Sequence, residues 1–173
     1  MDKSGILQKD GASYVRNFIF GVEDSLVSTV GLLSGIAIAN VPRPTIFLTG
    51  VVLIFVEAFS MAVGSFLSEY SAEEYARRAV IPMRRSVLGG IIMFFAYFIS
   101  GFIPLLPYVL AQNTPIAFRV SIALSLAALF TLGFIGGKIT RVRLWRSAFR
   151  MAIIGGIAIA VGILAGTIFD GIK

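Results

Sequence analysis

The chain has 173 residues, 57% of them hydrophobic, with a mean hydropathy of +0.91; soluble domains lie near about 45–50% apolar, so this is more apolar surface than one soluble core buries. It has no Cys and no His, which excludes disulfides, zinc sites of the Cys/His type, haem ligation and every triad with a His base. The formal charge of +6 comes from basic residues set between apolar runs, which suits the anionic face of a membrane and not nucleic acid.

In chain order, residues 1–17 (MDKSGILQKDGASYVRN) read as a polar cytoplasmic tail of mixed charge, without the apolar core of a cleavable signal. The first apolar run, Phe18–Ala39, holds Glu23 and Asp24, and Pro42 and Pro44 mark the loop after it. The second run, Ile46–Ser68, holds Glu57, and SEYSAEEYARRAVIPMRR follows it. The third, Leu88–Leu110, ends in GFIPLLPY, and Gln112, Asn113 and Pro115 break the chain before the fourth, Ala117–Gly137. A strongly basic loop leads to the fifth, Met151–Phe169. A helix of about 20 residues spans the hydrocarbon core. Any one run could be a buried soluble helix, but five in succession predict an all-α integral membrane bundle of five transmembrane helices over residues 18–173.

Lys and Arg orient it. Lys3, Lys9, Arg16, Arg77, Arg78, Arg84, Arg85, Lys138, Arg141, Arg143, Arg146 and Arg150 fall on one side, and only Arg43, Arg119 and Lys173 on the other. The basic side is expected to be cytoplasmic, with the N-terminus inside and the C-terminus outside. The fourth loop reads as a topology signal and general lipid contact, or as recognition of a particular anionic partner.

A charge at membrane depth costs about 2.5–3.5 kcal/mol on insertion scales, so Glu23, Asp24 and Glu57 are expected to face the bundle interior. Asp24 lies about 9 Å and Met61 about 10 Å from the basic ends of their helices, with Glu57 near the midplane. At about 100° per residue, Glu57, Met61, Gly64 and Ser68 share one stripe, and Asp24, Ser28, Gly31 and Gly35 another. Small residues admit a neighbouring helix, which would let the carboxylates converge. Carboxylates with a thioether suit a transition metal such as ferrous iron or manganese. Against that, Gly-xxx-Gly spacings also serve plain packing, Met61 could be filler, and Glu23 could reach interfacial water. Glu69, Glu73 and Glu74 could gather metal at the mouth or pair with Arg77 and Arg78. Pro104 and Pro107 free carbonyls near Ser100 and Ile103, which coordinate a cation or simply mark a kink.

These residues carry a resemblance. RNFIFGVEDSLVSTVGLLSGIA resembles the first helix of the vacuolar iron transporter (VIT) family, with its G-x-x-D-G-L-V-[ST] pattern. EAFSMAVGSFLSEYSAEEY resembles the second, where E-A-x-S-M-x-x-G is the hallmark. ISGFIPLLPYVL and FRMAIIGGIAIAVGILAG resemble the third and the last, so the likeness runs from Arg16 nearly to the end. The resemblance implies a homodimer of five-helix subunits with a path at the dimer interface, exporting Fe²⁺, sometimes Mn²⁺, from the cytosol in exchange for protons. It puts metal passage on Asp24, Glu57 and Met61. Two departures stand out. Ser25 replaces the Gly after the motif Asp, and the long cytoplasmic metal-collecting insertion of plant members is missing, leaving Glu69, Glu73 and Glu74 in its place.

The expected function is therefore divalent-metal transport by proton antiport, with no resident cofactor, in a prokaryotic cell membrane. Its rivals are a cation or proton channel on the same carboxylates and a non-transporting scaffold or sensor. An enzyme is not expected, because no His, Cys or Gly-rich phosphate loop is present.

Overall fold

The computed structural model describes residues 3–39, 41–78, 82–111 and 113–170, with side chains described from residue 11 to residue 168. The side chains of Lys3, Lys9 and Phe169, and all of Gln112 and Lys173, lie outside them. The described chain forms five helices: α1 (Lys3–Ile38), α2 (Arg43–Arg77), α3 (Arg84–Leu110), α4 (Thr114–Ile139) and α5 (Leu144–Asp170). Each is long and apolar enough to cross a bilayer. The all-α five-span architecture is as expected, and the protein is a multi-pass membrane protein.

The helices outrun the apolar runs that announced them. α1 already begins at Lys3 and α5 at Leu144, because a helix continues through polar residues until something breaks it, and hydropathy marks only the part that suits lipid. The breaks are chemical. Pro42 and Pro44 start α2, where a missing N–H costs nothing. Asn113 caps α4, its side chain accepting from the Ile116 N–H at 3.0 Å. Arg78 and Arg141 take left-handed φ values of 50° and 56° at the ends of α2 and α4. α2 is 35 residues long, about 50 Å at 1.5 Å per residue, so its last turns project beyond the hydrocarbon.

α1 is the central helix and touches all four others. α2 and α3 pack on one side of it and α4 and α5 on the other. Leu26, Val30 and Leu33 on α1 are fully buried, and Leu33 joins Ile46, Ile54, Leu105, Tyr108 and Ala117 in the core toward the α1–α2 loop.

Gly31 and Gly35 of α1 face α5 and not α2. A Cβ on Gly162 would lie 2.1 Å from the Gly31 carbonyl oxygen, and one on Gly166 2.2 Å from that of Gly35. The two backbones are in contact, and only glycine permits it. Gly64 on α2 is the opposite case: it is exposed, and nothing lies within 4 Å of where its Cβ would be.

α3 stays helical through Pro104 and Pro107. Polar groups from neighbouring helices serve its carbonyls. Ser121 on α4 donates to the Pro104 carbonyl at 2.7 Å, and Arg43 on α2 donates to that of Tyr108 at 2.9 Å. Tyr108 is in the last turn, where a helix leaves carbonyls without N–H partners.

Candidate functional site

Inside the bundle, α1 brings its Asp24 turn against α2 and α3. The Asp24 carboxylate is half-buried and feels the charge of Glu57 on α2. Both charges also reach the phenol of Tyr97 on α3. Tyr97 is fully buried, and its hydroxyl is 2.6 Å from the Ser28 hydroxyl, one turn beyond Asp24. Two carboxylates, a serine and a tyrosine from three helices thus form one polar cluster. Met61 follows Glu57 by one turn on the same face and is half-buried.

Ser25 explains how the turn is held. It is fully buried and donates to the Tyr97 carbonyl at 2.7 Å. It fits because Gly101 has no side chain: a Cβ there would lie 2.9 Å from the Ser25 oxygen. The serine that departs from the motif ties α1 to α3 beside the carboxylates.

Glu23 points elsewhere. Its side chain interacts electrostatically with Arg150 on α5 as well as with Asp24. It lies between the Asp24 cluster and the basic side of the bundle.

The remaining acids lie at the arginine-rich end. Glu69 accepts a very short hydrogen bond from Ser13 on α1 and lies 3.8 Å from Arg85 on α3. It occupies the space that Gly89 leaves open, where a Cβ would lie 2.5 Å from the Glu69 Oε2 and 2.8 Å from the Asn17 Nδ2. Glu73 pairs with Arg77 at 2.6 Å and with Arg85 at 3.5 Å. Glu74 acts electrostatically on the Tyr70 hydroxyl one turn before it. A cavity of about 710 Å³ lies here, with Ser13, Arg16, Glu69, Glu73, Arg77 and Arg85 among its lining. Of the pairing with Arg77 and Arg78 read from the sequence, the structure forms the one between Glu73 and Arg77, and it adds Arg85, which arrives from α3. Among the described residues no three acids gather into one group able to hold a metal ion.

A second cavity of about 710 Å³ opens at the same end on the other side of α1. It is lined by Ile19, Gly136, Thr140, Val142, Ser147 and Met151 together with four arginines, Arg141, Arg143, Arg146 and Arg150.

Tyr97 and Arg150 escaped the sequence reading as partners of the carboxylates. For Tyr97 a signal existed: it is the polar residue in the run IIMFFAY, at a depth on α3 comparable with Asp24 on α1. Nothing in the sequence set Arg150 apart from the other basic residues of its loop.

The VIT family model matches residues 15–88 and 81–167, two overlapping pieces that meet at the short link from α2 to α3. Vacuolar iron transporter 2 of Oryza sativa subsp. japonica is 24% identical, over 84% of this chain and 83% of the relative. Vacuolar iron transporter 1 of Arabidopsis thaliana is 26% identical, over 84% and 82%. Vacuolar iron transporter homolog 4 of Arabidopsis thaliana is 27% identical, over 87% and 81%. The first two alignments run to 205 positions and the third to 163, so the first two relatives carry dozens of residues with no counterpart in this chain. These relatives are named as transporters or transporter homologues, not as enzymes.

Proposed function

The chain belongs to the VIT family, and from that premise we propose that it moves a divalent transition metal, Fe²⁺ or Mn²⁺, out of the cytosol in exchange for protons. The observation that carries the reading is the electrostatic interaction of Asp24 on α1 with Glu57 on α2 inside an apolar bundle, beside the hydroxyls of Ser28 and Tyr97. Two carboxylates near one another repel, and a dication removes the repulsion. Two protons remove it equally well. The same pair therefore has two stable fillings, metal or protons, which is the differential affinity that coupled exchange requires. Met61 supplies a thioether one turn away, and that softness favours iron or manganese over calcium or magnesium.

The working unit of this reading is a homodimer. On α2, Ser60, Gly64 and Ser68 are exposed in the single chain, next to the Glu57 and Met61 stripe. Small and hydroxylic residues on a membrane helix suit a second helix better than lipid. Two copies closing there would put two sets of Asp24, Glu57 and Met61 along one path. The basic end then faces the cytosol, with metal arriving past Glu69, Glu73 and Glu74. The names of the relatives place them in the vacuole; for this chain a prokaryotic cell membrane is proposed.

Proteoliposomes test this. Fe²⁺ flux driven by an opposing pH gradient is expected for the native protein, and a reduction of about 100-fold or more for Glu57→Gln. Undiminished flux in that variant overturns the site assignment. Flux indifferent to the pH gradient overturns antiport in favour of a channel.

A further inference from the structure

We propose that the four-arginine cavity between α1, α4 and α5 is a binding site for the phosphate-bearing headgroup of an anionic membrane lipid, with the acyl chains lying on the aromatic face of α4 and α5.

Three observations lead there. The first is charge without counter-charge. Arg141, Arg143, Arg146 and Arg150 line one cavity, and none of them is in a salt bridge among the described residues. The chain has no acidic residue between positions 75 and 169, so α3, α4 and the connecting loops offer no acid, and α5 none before Asp170. Glu23 on α1 acts on Arg150 alone of the four. The other cavity at this end has the same volume and three arginines, but Glu69 and Glu73 line it as well and pair with two of them. Among the described side chains, an equally concave basic site has thus been filled from within on one side of α1 and holds no salt bridge on the other.

The second is shape and hydrogen-bonding chemistry. At about 710 Å³ the cavity is within the range of about 300–1,000 Å³ usual for small-ligand sites. Arginine forks match phosphate oxygens in pairs. Thr140 and Ser147 add hydroxyls, and the first turn of α5, which begins at Leu144, adds backbone N–H groups. Ile19, Val142 and Met151 make the rest of the wall apolar.

The third fixes the source of the phosphate as a lipid. Trp145, the single tryptophan of the chain, is 63% exposed on the first turn of α5. It packs 6.0 Å from both Phe130 and Phe134 on α4, and Phe149 packs 5.4 Å from Phe130. An exposed Trp at a helix end marks headgroup depth. Beyond them Ile153, Ile154 and Ile157 are exposed along α5, an apolar track for acyl chains. Arg146 and Arg150 directly follow Trp145 and Phe149 in the chain and, at about 100° per residue, share a stripe of α5 with the isoleucines, so headgroup and chains can be held at once. A free phosphate would use the arginines but not the track.

The lone tryptophan is the probe. The native protein is reconstituted in phosphatidylcholine nanodiscs with rising fractions of phosphatidylglycerol brominated on its acyl chains, and Trp145 quenching is compared with brominated phosphatidylcholine. The expected result is a preference of about fivefold or more for the anionic lipid. The double variant Arg143→Gln/Arg146→Gln should lose it, whereas Arg78→Gln/Arg84→Gln, which removes the same charge from the α2–α3 link, should keep it. Inorganic phosphate at millimolar concentration should leave the quenching unchanged. Equal quenching by the two lipids, an equal loss in both double variants, or displacement by inorganic phosphate would each overturn the proposal.

Discussion

The two sides of α1 are built on opposite physical plans. Toward α2 and α3 the contacts are polar and reach across helices: Ser25 to the Tyr97 carbonyl, Ser28 to the Tyr97 hydroxyl, Asp24 toward Glu57, and Ser13 and Arg85 to Glu69. Toward α5 the contact is backbone on backbone, with Gly31 and Gly35 against Gly162 and Gly166. The first kind of interface holds side chains that carry charge, and it can change with protonation or a bound ion. The second, at these four glycines, has no side chains to rearrange and acts as a fixed wall. A central helix clamped on one side and polar on the other is a sound base for a site whose charge state must alternate.

That contrast can be broken where each side is strongest. Gly162→Leu should be the most damaging change, because its side chain would meet the Gly31 backbone, which cannot swing away. A loss of at least about 3 kcal/mol is expected, seen as a large fall in detergent melting temperature. Gly156→Ala, on the same helix but with nothing within 4 Å of the added Cβ, should leave the melting temperature unchanged or raise it, by up to about 1 kcal/mol from helix propensity.

Next in size is the loss of charge on the polar side. Asp24→Ala should lower proteoliposome Fe²⁺ flux by about 100-fold while the protein remains folded. Ser125→Ala, which removes a buried hydroxyl bonded to the Ser121 carbonyl on α4, should leave flux within about twofold. Equal effects of the two would erase the distinction between the sides.

Ser25→Ala should cost less, about 0.6 kcal/mol on the average of membrane hydrogen bonds. The signature is a small fall in melting temperature, and Ser25→Gly should share it by losing the same donor to Tyr97. The smallest effect belongs to Glu73→Gln at the exposed end of α2. Arg77 is half exposed, so the pair is worth under about 0.5 kcal/mol and should vanish in high salt. A large effect there would mean that Glu73 does more than hold two arginines.

Much of this was legible in advance. Pro42, Pro44 and Asn113 marked the loops from which α2 and α4 start, and the five apolar runs announced five helices. The family pattern stood in the residues around Asp24 and Glu57, and the match over residues 15–88 and 81–167 agrees. The small-residue stripe of α1 was legible as a packing surface, but its partner was not, since glycine spacing says that a helix approaches closely and never which one. Arg85 was visible as a basic residue before the third apolar run, yet its approach to Glu69 and Glu73 depends on how α2 and α3 close.

The sequence by itself determined what lipid and water each accept: five spans, a basic end, and acids confined, apart from Asp170, to the first 74 residues. Those are properties of composition along a line, and transfer free energy reads them directly. Only the tertiary structure decided that Tyr97 meets Ser28, that Ser25 fits against Gly101, that α5 takes the glycines of α1, and that four arginines close around one cavity. These depend on the rotation of each helix about its axis and on the choice of neighbours. Many residues, each contributing little, set those jointly, and no single stretch of chain contains them.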